Sequence, residues 1–63
     1  MNPTFEYKID AVCYAKDESR YSQRTFFVNK FGPSHFEVSK RAVVRKGGKP
    51  VTACERGRDL YAR

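Results

Sequence analysis

Apolar and polar positions alternate most regularly near the start of the chain. Phe5, Tyr7, Ile9, Ala11 and Cys13 take every second position, with Thr4, Glu6, Lys8 and Asp10 between them. A period of two belongs to a half-buried strand, so residues 4–15 predict a first strand. Val12 and Tyr14 break its polar face only near the end. Residues 16–23, Lys-Asp-Glu-Ser-Arg-Tyr-Ser-Gln, hold few strand formers beyond Tyr21 and read as a loop. Residues 24–31 return to strand composition with apolar side chains on both faces, Phe26 and Val28 against Phe27 and Phe31. That pattern fits a strand covered on both sides or one presenting an aromatic contact surface. Gly32-Pro33 ends it.

Residues 34–46 admit two readings. Ser34-His35-Phe36-Glu37 has the form of a capping box, with Pro33 just outside it. Ser39 offers a second cap, with Val38 and Val43 spaced as a hydrophobic staple. Arg45 and Lys46 would complement the dipole of a last turn, and Gly47-Gly48 would supply a left-handed C-cap. The competing pattern alternates Phe36, Val38, Ala42 and Val44 with Glu37, Ser39, Arg41 and Arg45, and makes Gly47-Gly48 a hairpin turn. Agreement of start and stop signals favours the helix. Pro50–Glu55 then reads as a last strand, with Pro50 at its permitted first position. In the basic tail, Leu60 and Tyr61 are the apolar anchors.

The expected fold class is therefore α+β, a ββαβ unit. Its small three-stranded antiparallel sheet has the order 2-1-3, set by a right-handed crossover, and one helix lies on one face. The alternative is an all-β small barrel of four to five strands, with hairpins at 16–23 and 47–48. At 63 residues the chain is expected to be a single small domain, 1–63, too small for an active site with several supporting shells.

Charge changes this picture more than composition does. The total is 13 − 7 = +6. Residues 1–19 carry Lys8 and Lys16 against Glu6, Asp10, Asp17 and Glu18, or 2 − 4 = −2; the rest carry 11 − 3 = +8. Lys40, Arg41, Arg45, Lys46 and Lys49 fall within ten residues with no acid among them, and Arg56 and Arg58 follow. These seven are the candidate phosphate-binding residues of a nucleic-acid-binding protein. A charge of this size also serves plain solubility, and a Lys/Arg run is commonly a solvated face. Segregation of the charge, rather than its total, points to a partner: nucleic acid or an acidic protein surface.

Nine Phe and Tyr exceed what a minimal core needs. Tyr21, Arg24, Phe27, Phe31 and Tyr61 are the candidates for base stacking or for a protein interface. In size, aromatic content and charge asymmetry the chain is similar to phage accessory proteins, although no motif carries that likeness. The both-faced aromatic strand around Phe27 and Phe31 suggests the alternative function, an inhibitor or adaptor of that type docking aromatic and Arg residues on a larger host protein.

Catalytic and metal chemistry find no support in the pattern. His35 and the two cysteines lack metal-site spacing, Gly47-Gly48-Lys49 lacks that of a P-loop, and the acids are scattered. No enzyme activity, metal or cofactor is expected. Cys13 and Cys54 are expected as buried small hydrophobes in reduced form. No secretory signal or membrane-spanning run is visible, so a cytoplasmic protein is expected. An unpaired sheet edge allows a homodimer.

Overall fold

The computed structural model describes residues 2–41 and 46–61. It is a small α+β fold of one helix and a five-stranded antiparallel sheet. The elements are β1 (Thr4–Phe5), α1 (Lys8–Ser22), β2 (Thr25–Lys30), β3 (Phe36–Ser39), β4 (Lys49–Glu55) and β5 (Arg58–Asp59). The sheet order is β1-β3-β2-β4-β5. This replaces the expected three strands in the order 2-1-3, and the sheet does not close into a barrel.

Two elements exchange character with the sequence reading. The predicted first strand over 4–15 is mostly helix. Its packed stripe is Ala11, Ala15 and Ser19, four residues apart and fully buried, which places one residue per turn against the sheet. Side chains this small let the helix backbone approach closely. They add little to a hydrophobicity pattern, so the period-two set Phe5 to Cys13 dominated the reading. Tyr7 and Ile9 from that set are exposed, and so is Cys13. The helix starts at Tyr7 without a side-chain cap. It ends at Gln23, whose left-handed backbone (φ 59°) returns its N–H to the Ser19 carbonyl at 3.0 Å.

The second exchange is at 34–46. Phe36–Ser39 is a strand, not the start of a helix. Glu37 pairs in register with Thr4 on one side and Asn29 on the other, and its carboxylate accepts a hydrogen bond from the Asn2 amide at 3.2 Å. The capping-box spacing was present, but Phe36 and Val38 had a core to enter and the ladder prevailed. His35 lies in the β2–β3 turn, where its carbonyl takes the Phe31 N–H.

β2 is the central strand, hydrogen-bonded to β3 and β4 along its two edges, and its Phe26–Val28 face packs under α1. Phe26 and Val28 join Phe36, Val38 and Cys54 beneath Ala11 and Ala15 in the core. Phe5 and Tyr14 close one side of that core with ring centroids 5.3 Å apart. Each large apolar side chain buried this way contributes about 1.5–3 kcal/mol. Between β2 and β4 the register shifts at Val28/Asn29, where Thr52 faces Val28 but Pro50 faces Asn29. Pro50 is thus accommodated at a bulge near the strand start. β3 and β4 flank β2 and run parallel to each other, so the link between them passes from one end of the sheet to the other. Its middle, 42–45, lies outside the described residues.

Candidate functional site

Strand register sorts the basic side chains between the two ends of the molecule. Thr25 of β2 pairs with Glu55 of β4 at one end, and Lys30 pairs with Lys49 at the other. β3 ends at Ser39 opposite Phe27, so continuing two residues carries Lys40 and Arg41 to the Thr25–Glu55 end. Both are exposed. Arg56 follows Glu55 in the β4–β5 turn, and Arg58 pairs back with Glu55. Helix α1 finishes here as well, bringing Arg20, and Arg24 lies in the short link to β2.

Three separate segments therefore place Arg20, Arg24, Lys40, Arg41, Arg56 and Arg58 at one end. Glu18, Glu55 and Asp59 are the acids nearest them along those segments, and all three carboxylates accept hydrogen bonds, from the Tyr14 hydroxyl at 3.4 Å, the Thr25 hydroxyl at 3.2 Å and the Thr52 hydroxyl. Burial raises the Tyr14 pKa above its ordinary value, reinforced by the charge and hydrogen bond of Glu18, so the phenol stays a neutral donor.

The β4–β5 turn has two central residues, Arg56 and Gly57, at φ 53° and 81°. Positive φ at both positions is the tight hairpin geometry that matches strand twist. Gly57 is needed there twice, for its left-handed backbone and because a Cβ on it would stand 2.9 Å from the Arg20 Nε. Its N–H donates to the buried Ser19 hydroxyl at 3.0 Å. Ser19 itself donates to the Lys16 carbonyl at 2.9 Å. Helix and turn are thus locked together, with the Arg20 guanidinium lying over the glycine.

Of the seven candidate phosphate contacts, Lys40, Arg41, Arg56 and Arg58 meet at this end. Lys49 stands at the opposite end beside Lys30, and Lys46 lies three residues before it. Arg45 falls outside the described residues. The run over 40–49 is divided because a strand leads into it at one end of the sheet and a strand leads out of it at the other. Arg20 was absent from the expected contacts; its place in the last turn of a helix was hidden while 16–23 read as a loop.

The aromatic candidates separate in the same way. Tyr21 sits in the last helical turn, not in a loop, and is 81% exposed at the cationic end. Phe27 is half-buried, and strand alternation turns it away from the Phe26–Val28 face. Phe31 is half-buried and meets the His35 ring edge-on, with centroids 6.0 Å apart. Tyr61 is exposed beyond β5, where its N–H donates to Asp59 Oδ1 at 3.0 Å. The same carboxylate oxygen accepts the Thr52 hydroxyl, which fixes the short edge strand.

Among the described residues, no three His, Cys, Asp or Glu side chains gather as a metal ion would require. No helix among them is long and apolar enough to cross a membrane. No protein family, curated protein or solved structure matches this chain.

Proposed function

We propose that this chain is a small, non-enzymatic, cytoplasmic protein that binds nucleic acid, holding phosphates with the cationic end of the fold. The observation that supports the reading is convergence. Arg20, Arg24, Lys40, Arg41, Arg56 and Arg58 come from a helix end, a strand exit and a hairpin turn, and no single stretch of sequence supplies them. Exposed Tyr21 stands beside Arg20 in the same helical turn and offers a ring on which an unpaired base stacks, a contact worth about 1–3 kcal/mol. The contacts are to phosphate and to ring faces, so strong sequence preference is not expected.

The test is a binding isotherm on DNA and on RNA at two salt concentrations. If about four phosphates are neutralised, affinity falls by roughly two orders of magnitude between about 50 mM and about 200 mM salt, because each contact releases condensed counterions. Absence of binding to either polymer at low salt ends the reading. The runner-up is an adaptor docked on an acidic protein surface. It draws on the exposed apolar side chains Ile9, Leu60 and Tyr61 rather than on Phe27 and Phe31. Retention of a protein partner after nuclease treatment, with no salt-sensitive nucleic-acid binding, favours it.

A further inference from the structure

Where helix α1 ends against the β4–β5 turn, Arg20, Gln23 and Arg56 line an open concavity of about 450 Å³. Two facts single it out. Among the described residues, the non-glycine positions with left-handed backbone are Gln23 and Arg56, and both border this one concavity. At a helix C-cap and at the first position of such a hairpin turn, glycine or asparagine adopts that backbone more easily. The chain instead keeps two long hydrogen-bond donors there. Residues held in costly backbone conformations gather where ligands are gripped.

The second fact is electrostatic. Two guanidinium groups border the same small space, and neither has a carboxylate partner among the described residues. The Arg20 guanidinium lies over Gly57, and the carboxylate next to Arg56, that of Glu55, is engaged by Thr25. Like charges placed together are relieved by an anion between them. Guanidinium forks and a side-chain amide supply convergent N–H donors for a tetrahedral oxyanion.

The geometry points to a phosphate seat formed by Arg20, Gln23 and Arg56, taking one phosphate group, free or at the end of an oligonucleotide. The inference rests on the reading of this end as the nucleic-acid-binding end and specifies what one part of it holds. Arg56 and Gln23 grip the oxygens from the turn and from the helix cap, and Arg20 closes the third side.

The experiment compares the wild-type chain with Arg56→Asn and Gln23→Asn. Asparagine accepts left-handed backbone well, so both variants are expected to fold with thermal midpoints equal to or above that of the wild type in phosphate-free buffer. Inorganic phosphate is expected to raise the wild-type midpoint, and each variant should need about tenfold more phosphate for the same rise, because Arg56→Asn removes a charge-assisted contact and Gln23→Asn draws the amide back by one methylene. An oligonucleotide bearing a 5′-phosphate is expected to bind the wild type more tightly than its 5′-hydroxyl counterpart, and equally with it in Arg56→Asn. That outcome assigns the seat to a strand end; equal binding of both by the wild type, with the phosphate response intact, assigns it to free phosphate.

No phosphate response in the wild type, or the same response in all three proteins, overturns the seat. If the 5′-hydroxyl oligonucleotide still binds in a salt-dependent way, the proposed function survives that failure. A phosphate response without oligonucleotide binding supports the seat and overturns the nucleic-acid reading.

Discussion

Cys54 lies fully buried on β4, opposite Phe26 in the ladder and under the helix. Burial pushes its thiol pKa up, the charge of Asp59 adds to the rise, and Lys16 opposes it. A thiol held neutral and enclosed is a poor nucleophile. Cys13 is exposed on the outer side of α1, two positions before the buried Ala15. A thiol-directed dye is therefore expected to label the native protein once and quickly, at Cys13, and to reach Cys54 only on unfolding. Peptide mapping after labelling checks this: rapid labelling of Cys54 would contradict its burial, and protection of Cys13 would contradict the helix over 8–22. The residue alphabet concealed the difference. Cysteine is small and apolar in either setting, and its place in the alternation of residues 5–13 made it look like core.

At the scale of elements, the contact of helix on sheet depends on small side chains. Ala15 is the centre of that contact, fully buried between Ala11 and Ser19. Ala15→Leu should force the helix off the sheet and destabilise by about 1–3 kcal/mol. In a domain of this size each kcal/mol lowers the melting midpoint by about 4–8 °C. Ile9→Ala, on a position 71% exposed, should change stability by less than about 0.5 kcal/mol. A thermal melt of the two variants decides the matter, since a strand over 4–15 with Ile9 in its buried face reverses the ranking. Segments 24–31 and 50–55 were legible because branched and aromatic residues crowd there and punctuation bounds them. α1 and β3 were not. A stripe of Ala and Ser leaves almost no hydrophobic signal, and the cap-like spacing Ser34-x-x-Glu37 is satisfied locally by a segment that β2 and β1 claim from either side. The strand alternation of Phe36 and Val38 was visible; weighing it required knowing that β2 would be central.

For the molecule as a whole, charge has a direction. The end with Arg20, Arg24, Lys40, Arg41, Arg56 and Arg58 faces away from the end where Lys30 and Lys49 stand across from each other. Replacing Arg24, Lys40 and Arg41 together by Gln is expected to flatten the slope of log affinity against log salt by about 2–3, at about 0.9 per lost phosphate contact. The matched triple Lys30, Lys46 and Lys49 to Gln should change it by less than about 1 on the same scale. Equal effects from the two triples would remove the polarity on which the interface rests. Segregation of charge was legible in sequence, but its axis was not, because the fold draws the cations of one end from three segments and divides the densest run between both ends. The route of the chain through the sheet carries a further consequence, for synthesis. β3 follows β2 by the turn 31–35 and can pair with it early, whereas β4 arrives only after the link 40–48. Until then the middle strand of the finished sheet has one bare edge, displaying its unpaired N–H and C=O groups to any strand nearby. The ladder between β2 and β4 closes only once the whole link has been made, so a nascent chain is exposed to wrong partners for as long as that link is being synthesised.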